Sequence, residues 1–213
     1  MIKSQTSRRR VFASRVGNAE RCFGDIAPNE HIVGLTNGQF SMIDAIEHLA
    51  KQVSAQTIDI STWTTGVYDL ERLAAFRQAT QGAVIRIVVD KTIFRSRPEY
   101  SSNMIKVLGE ECFRFAPVHA KVCVIRGKFG AAMRGSLNLN RNERTENIDC
   151  NTDDSTVQFF ADWFDALWDA AEGGEGKSAV IKGIFERIPD TAAVVSPHRS
   201  ARDVFSKARR WGD

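Results

Sequence analysis

Four cysteines are scattered through the 213 residues, at positions 22, 112, 123 and 150, and no pair has CxxC spacing. Only Cys123 has a histidine close by in sequence, His119, so neither a structural zinc cluster nor a disulfide framework is written in the chain. Reduced thiols in a cytoplasmic protein are the expectation, with no metal and no cofactor. Long apolar runs are also missing. The most aromatic stretch, Phe159 to Trp168, is interrupted by Asp162 and Asp165, which excludes a membrane span there. The N-terminus has no apolar core of the kind a secretory signal needs. Arg- and Ser-containing and poor in acids, it reads either as a transit peptide or, more plainly, as a solvated basic arm.

What is present is the composition of a globular domain, 43% hydrophobic and 26% charged, at a length that suits one fold with appendages. The net charge of +3 is unevenly spread: residues 1–21 carry +5, residues 191–213 carry +3, and the body between carries −5. A mildly acidic body with two basic ends follows. Such ends suit sequence-independent contact with phosphates, or simply keep the protein soluble.

Periodicity alternates between strand and helix over the first half. His31–Thr36 reads as a strand closed by Asn37-Gly38. Met42, Ile43, Ile46, Leu49, Ala50 and Val53 then recur at helical spacing behind Ser41 as N-cap. Ile58–Trp63 reads as a second strand, Asp69–Gln81 as a helix, and Val84–Val89 as a buried central strand of parallel type. A weaker helix around Tyr100–Leu108 and a strand at Cys112–Phe115 follow. The rhythm then changes: Ala120–Ile125 and Phe129–Gly135 form a hairpin across Gly127, and a strand near Ile148–Asn151 leads into an amphipathic helix, Ser155–Ala171. Beyond it, Glu172 to Gly176 reads as a linker, Ala179–Ile188 as a short helix and the remainder as a basic tail. The fold class expected is α/β, a mixed β-sheet flanked by helices on both faces.

One segment concentrates reactive side chains: His119-Ala120-Lys121, then Gly135-Ser136-Leu137-Asn138, then Glu146-Asn147. Residues two apart on a strand share a face, so His119 and Lys121 project together, and the hairpin brings Ser136 and Asn138 beside them. A nucleophile, a fixed positive charge and two hydrogen-bonding groups suit attack on a phosphodiester. Glu146 is placed to bond the second ring nitrogen of His119 and fix its tautomer. The aromatic residues Trp63, Trp163 and Trp168 read as core, and Cys123 as a buried small hydrophobe.

His119-x-Lys121 followed by Gly135-Ser136-x-Asn138 resembles the signature of the phospholipase D (HKD-motif) superfamily, and the element order over about residues 30–171 resembles one half of that fold. The resemblance implies a phospholipase D-like half-domain at 29–173, between a basic N-terminal arm at 1–28 and a linker, short helix and basic tail at 174–213. Only one motif is present, since His31, His48 and His198 have no lysine two residues on. Family members of this kind pair as homodimers. The implied chemistry is a metal-independent phosphodiesterase working through a phosphohistidine on His119, with Lys121 and Asn138 on the non-bridging oxygens. Nucleic acid is the expected substrate, giving a nuclease; the alternatives are a DNA-binding accessory protein without turnover and a phospholipid phosphodiesterase. The sequence departs from the family where Arg126 stands in place of the motif's aspartate, where the stretch to Gly135 is two residues longer, and where Glu146 lies closer to Asn138 than usual.

Overall fold

A computed structural model describes residues 8–13, 17–80, 82–92, 104–140 and 143–172. The elements are β1 (Arg8–Ala13), α1 (Ala19–Phe23), β2 (Glu30–Asn37), α2 (Met42–Val53), β3 (Thr57–Thr62), α3 (Val67–Ala79) and β4 (Val84–Asp90). A helical turn at 104–108 and a 3-10 turn follow. The chain then forms β5 (Phe113–Ala116), β6 (Val122–Arg126), β7 (Gly130–Gly135), β8 (Thr145–Asn151) and α4 (Asp154–Glu172). The expected short helix at Ala179–Ile188 and the basic tail lie outside the described residues.

The strands form one sheet in the order β1-β2-β8-β7-β6-β3-β4-β5. It is mixed: β1 with β2, β3 with β4 and β4 with β5 are parallel, and the other neighbours are antiparallel. Strand alternation divides the side chains between two cores. Ile58, Ile60, Ile85, Ile87, Cys123 and Ile125 pack with the buried residues of α2 and α3. Their neighbours in sequence, Val88, Val122 and Val124, pack instead with Val157, Ala161, Phe164 and Leu167 of α4. Successive residues of a strand face opposite ways, so the helices cover both faces of the sheet. The helix starts are built locally. Asp44 Oδ2 accepts the Ser41 N–H at 2.7 Å, a reciprocal cap that holds the first turn of α2.

The largest departure from the sequence expectation is at the N-terminal side. Arg8–Ala13, read as part of a solvated arm, is an edge strand of the sheet. Arg10 donates to the carbonyls of Phe23 at 2.6 Å and Asp25 at 3.0 Å and pairs with buried Glu30 at 2.7 Å. Phe12 packs against Phe23 and Phe40. A run of three arginines carries no apolar period, and only the carbonyls and carboxylate gathered by α1 and β2 turn one of them inward. Gly34 accommodates this packing, because a Cβ there would stand 2.2 Å from the Phe12 ring.

Among the described residues no helix is long and apolar enough to cross a membrane. The four cysteines are free, and Cys112, Cys123 and Cys150 are buried. Burial pushes the Cys123 thiol well above its ordinary range and the Cys150 thiol up to about 12, as expected of core residues.

Candidate active site

His119 and Lys121 lie in the extended segment that enters β6, just ahead of its first paired residue, Val122. Three bonds hold this segment. Asp90, the last residue of β4, accepts the Val118 N–H at 3.0 Å; the Ser61 hydroxyl of β3 donates to the Ala120 carbonyl at 2.8 Å; and the Gly135 N–H donates to the Lys121 carbonyl at 3.3 Å. The backbone is thus pinned on alternating sides while the His119 side chain stays exposed. Lys121 Nζ lies 3.2 Å from His119 Nδ1 and donates to the His119 carbonyl at 3.1 Å. Burial lowers the Lys121 pKa, and the charge of Glu146 works against that shift.

Ser136 and Asn138 follow the end of β7 rather than extending it. The pairing of Gly135 with Ile148 brings Ser136 beside Asn147, and the two exchange backbone and side-chain bonds. The Ser136 N–H donates to the Asn147 carbonyl at 3.2 Å, and the Asn147 N–H donates to Ser136 Oγ at 3.0 Å. The Ser136 hydroxyl in turn donates to the Glu146 carboxylate. Here the structure departs from the sequence reading, which has Glu146 on the His119 ring. The strand register turns its carboxylate to the serine instead. Asn138 Oδ1 stands 3.5 Å from Thr62 Oγ1, at the end of β3.

The two halves of the motif meet at Lys121, which lines a shallow crevice together with Gly135 and Asn147. Gly135 has a steric reason to be glycine: a Cβ there would lie 2.1 Å from the Asn147 carbonyl oxygen, inside the β7–β8 pairing.

Arg126 has a partner of its own. Its Nη2 lies 2.7 Å from Asp59 Oδ2 and its Nε donates to Thr57 Oγ1 at 3.1 Å. Asp59 is fully buried, and its other oxygen accepts from Arg86 Nε at 2.7 Å; Arg86 also reaches Asp165 of α4.

Three residues of this neighbourhood escaped the sequence reading. Asp90 and Ser61 act through the backbone, and a polar residue at a strand end was their only signal. Trp63, read as core, is 43% exposed, and its ring centroid lies 5.9 Å from that of His119 at a 45° tilt. The apolar residues before it along β3 are buried because helices cover them, whereas Trp63 stands just past the strand end.

A family model described as "Cardiolipin synthase, PLD-like domain" matches residues 45–168, more than half of the chain. No curated protein matches the sequence. Among solved structures, the chain is similar to Nuc, a phospholipase D family member from Salmonella typhimurium, at 16% identity and a TM-score of 0.48, over 66% of this chain and 94% of that one. It is similar to a polyphosphate kinase from Porphyromonas gingivalis at 12% identity and a TM-score of 0.48, over 75% of this chain and 29% of the kinase. The archaeal chromatin protein TrmBL2 aligns at 17% identity and a TM-score of 0.39, over 65% and 53%.

Proposed function

This chain belongs to the family of phospholipase D-like domains, and from that premise we propose that it is a phosphodiesterase acting on nucleic acid, with His119 as nucleophile. The observation that carries the reading is the contact between His119 and Lys121 on a backbone held at three points, with the His119 ring open to solvent. A phosphodiester entering there lies against the Lys121 ammonium as well as the His119 ring. A ring nitrogen of His119 then attacks phosphorus, forming an N–P bond as the bond to the leaving oxygen breaks. That oxygen takes its proton from His119 of a second copy of the chain in a homodimer. Water attacks the phosphohistidine, delivers its proton to the same second histidine and frees His119. Lys121 and Asn138 bind the non-bridging oxygens, where negative charge accumulates in the transition state. Ser136 and Glu146 are positioning residues in this scheme: the Ser136–Glu146 bond ties the loop bearing Asn138 to β8 and sets a negative charge near Lys121.

The choice of nucleic acid rests on the basic ends. Arg10 is engaged within the fold, so the surface cations of the Arg8–Arg10 cluster are Arg8 and Arg9. Labelled DNA, RNA and phospholipid vesicles incubated with the protein in EDTA test the reading. Wild type is expected to cleave the nucleic acids and to yield an acid-labile, base-stable phosphoenzyme, and His119→Ala to do neither. Cleavage that survives His119→Ala would sink it, and cleavage of vesicles alone would replace nucleic acid with lipid.

A second reading, DNA binding without turnover, is favoured by Arg126 standing where the family has an acid. It predicts salt-sensitive DNA retention that His119→Ala leaves intact and no phosphoenzyme. Against it, Arg126 is bonded to Asp59 on the adjacent strand and stands at the opposite end of β6 from Lys121, away from the reacting groups.

A further inference from the structure

We propose that Trp63 forms a nucleobase subsite, on which a base flanking the scissile phosphate stacks while the phosphate rests on His119 and Lys121. This rests on the nucleic-acid reading above and sharpens it: unpaired strands become the substrate class.

Trp63 is 43% exposed immediately beside the proposed nucleophile, with its ring tilted 45° to that of His119 rather than stacked flat on it. Its support is firm. It directly follows Thr62, whose hydroxyl donates to the Thr64 carbonyl at 2.8 Å, and the loop beyond is tied to the Asn138 segment by the Thr65–Leu139 bridge and by the Gly66 N–H on the Leu139 carbonyl at 2.6 Å. The indole and Asn138 are therefore carried on two loops bonded to each other, so a strand held by one is registered against the other. Lys121 Nζ sits against the His119 ring within 3.4 Å of both nitrogens. The centroid separation of 5.9 Å between the His119 and Trp63 rings is comparable with the span of one sugar, which is what separates a nucleotide's phosphate from its base.

Stacking on an aromatic side chain accepts any base, because each has a π-face, but it requires that face to be free. In a duplex both faces are covered, so the subsite selects single strands or flipped bases. A phospholipid offers no planar group to stack on Trp63.

The test is fluorescence anisotropy of a labelled oligothymidylate and of a matched abasic strand, using full-length wild type, Trp63→Ala and Trp63→Phe, with cleavage followed in parallel. Trp63→Ala is expected to weaken oligothymidylate binding by about 5- to 100-fold, and Trp63→Phe to recover most of it. Abasic-strand binding is expected to change less than about twofold for either variant, because only phosphate contacts remain. Equal losses on both strands would mean that Trp63 merely holds the His119 ring and would overturn the subsite, as would no loss on either. Binding that depends on Trp63 without cleavage would keep the subsite and sink the nuclease reading. Cleavage with no base-dependent effect of Trp63→Ala would do the reverse, and a wild type that binds neither strand would refute both.

Discussion

Asp59 Oδ2 lies 2.7 Å from Arg126 Nη2, and the same carboxylate reaches Arg86 Nε at 2.7 Å through its other oxygen. One buried acid on β3 thus joins guanidiniums from the strands on either side of it, β6 and β4. The residue that departs from the family motif is matched by a carboxylate on the next strand. Arg126 is thereby paired across the β3–β6 ladder.

This relationship makes restoring the motif's acid a destabilising change. Arg126→Asp sets a second carboxylate against buried Asp59 and leaves Arg86, on the opposite strand, as the cation that still pairs with it. A loss of at least about 2 kcal/mol in urea unfolding is expected. Asp59→Ala, which removes the acid from two guanidiniums, is expected to cost about 3 kcal/mol. The exchange Asp59→Arg with Arg126→Asp should recover part of the loss of either change alone. A stable Arg126→Asp protein would refute the pairing.

Gly135→Ala tests the close approach of β7 to β8. With the Asn147 carbonyl 2.1 Å from the new Cβ, the strands must separate where Ser136 and Asn147 exchange their bonds. A stability loss of about 2 kcal/mol by thermal unfolding is expected, together with at least about tenfold slower cleavage. Normal cleavage in this variant would show that the Ser136–Glu146 tie does not position the site.

Glu146→Gln keeps the shape of the side chain and removes its charge. Burial already lowers the Lys121 pKa, and the Glu146 charge is what raises it back. Without that charge Lys121 loses its proton at lower pH, so the alkaline limb of the cleavage profile should move down. A limb that stays in place or moves up would separate Glu146 from Lys121.

Asp69 offers a prediction about stability alone. It is 1% exposed, its Oδ1 has no hydrogen-bond partner, and burial raises its pKa from 3.8 to about 6. The native state therefore takes up this proton before the unfolded chain does. Its contribution to stability grows as pH falls from about 7 toward 4 and is lost as pH rises through 6. Asp69→Asn should be more stable than wild type at pH 7, by about 2–3 kcal/mol, with the gap closing as pH is lowered to 4. A gap independent of pH in urea unfolding would rule this out.

Much of the fold is legible because burial leaves a period. Ile58 and Ile60 against Val122 and Val124, or the three-and-four spacing along α2, report which face of an element meets a helix or the sheet before any partner is known. The proximity of His119 to Lys121 is legible for the same reason: they are two positions apart, and local geometry sets the distance. Nothing local, however, places Asp59 opposite Arg126, which are 67 residues apart, or turns Glu146 toward Ser136.

The sequence by itself determined the alternation of elements, the two-faced sheet and the group of residues suited to phosphate chemistry, since these follow from short-range periods and side-chain types. Only the tertiary structure decided that an arginine-rich arm becomes β1, that Trp63 stands open beside His119, and that an acid on β3 answers Arg126. Each of these depends on strand register and on where helix cover stops, quantities set by contacts between distant parts of the chain.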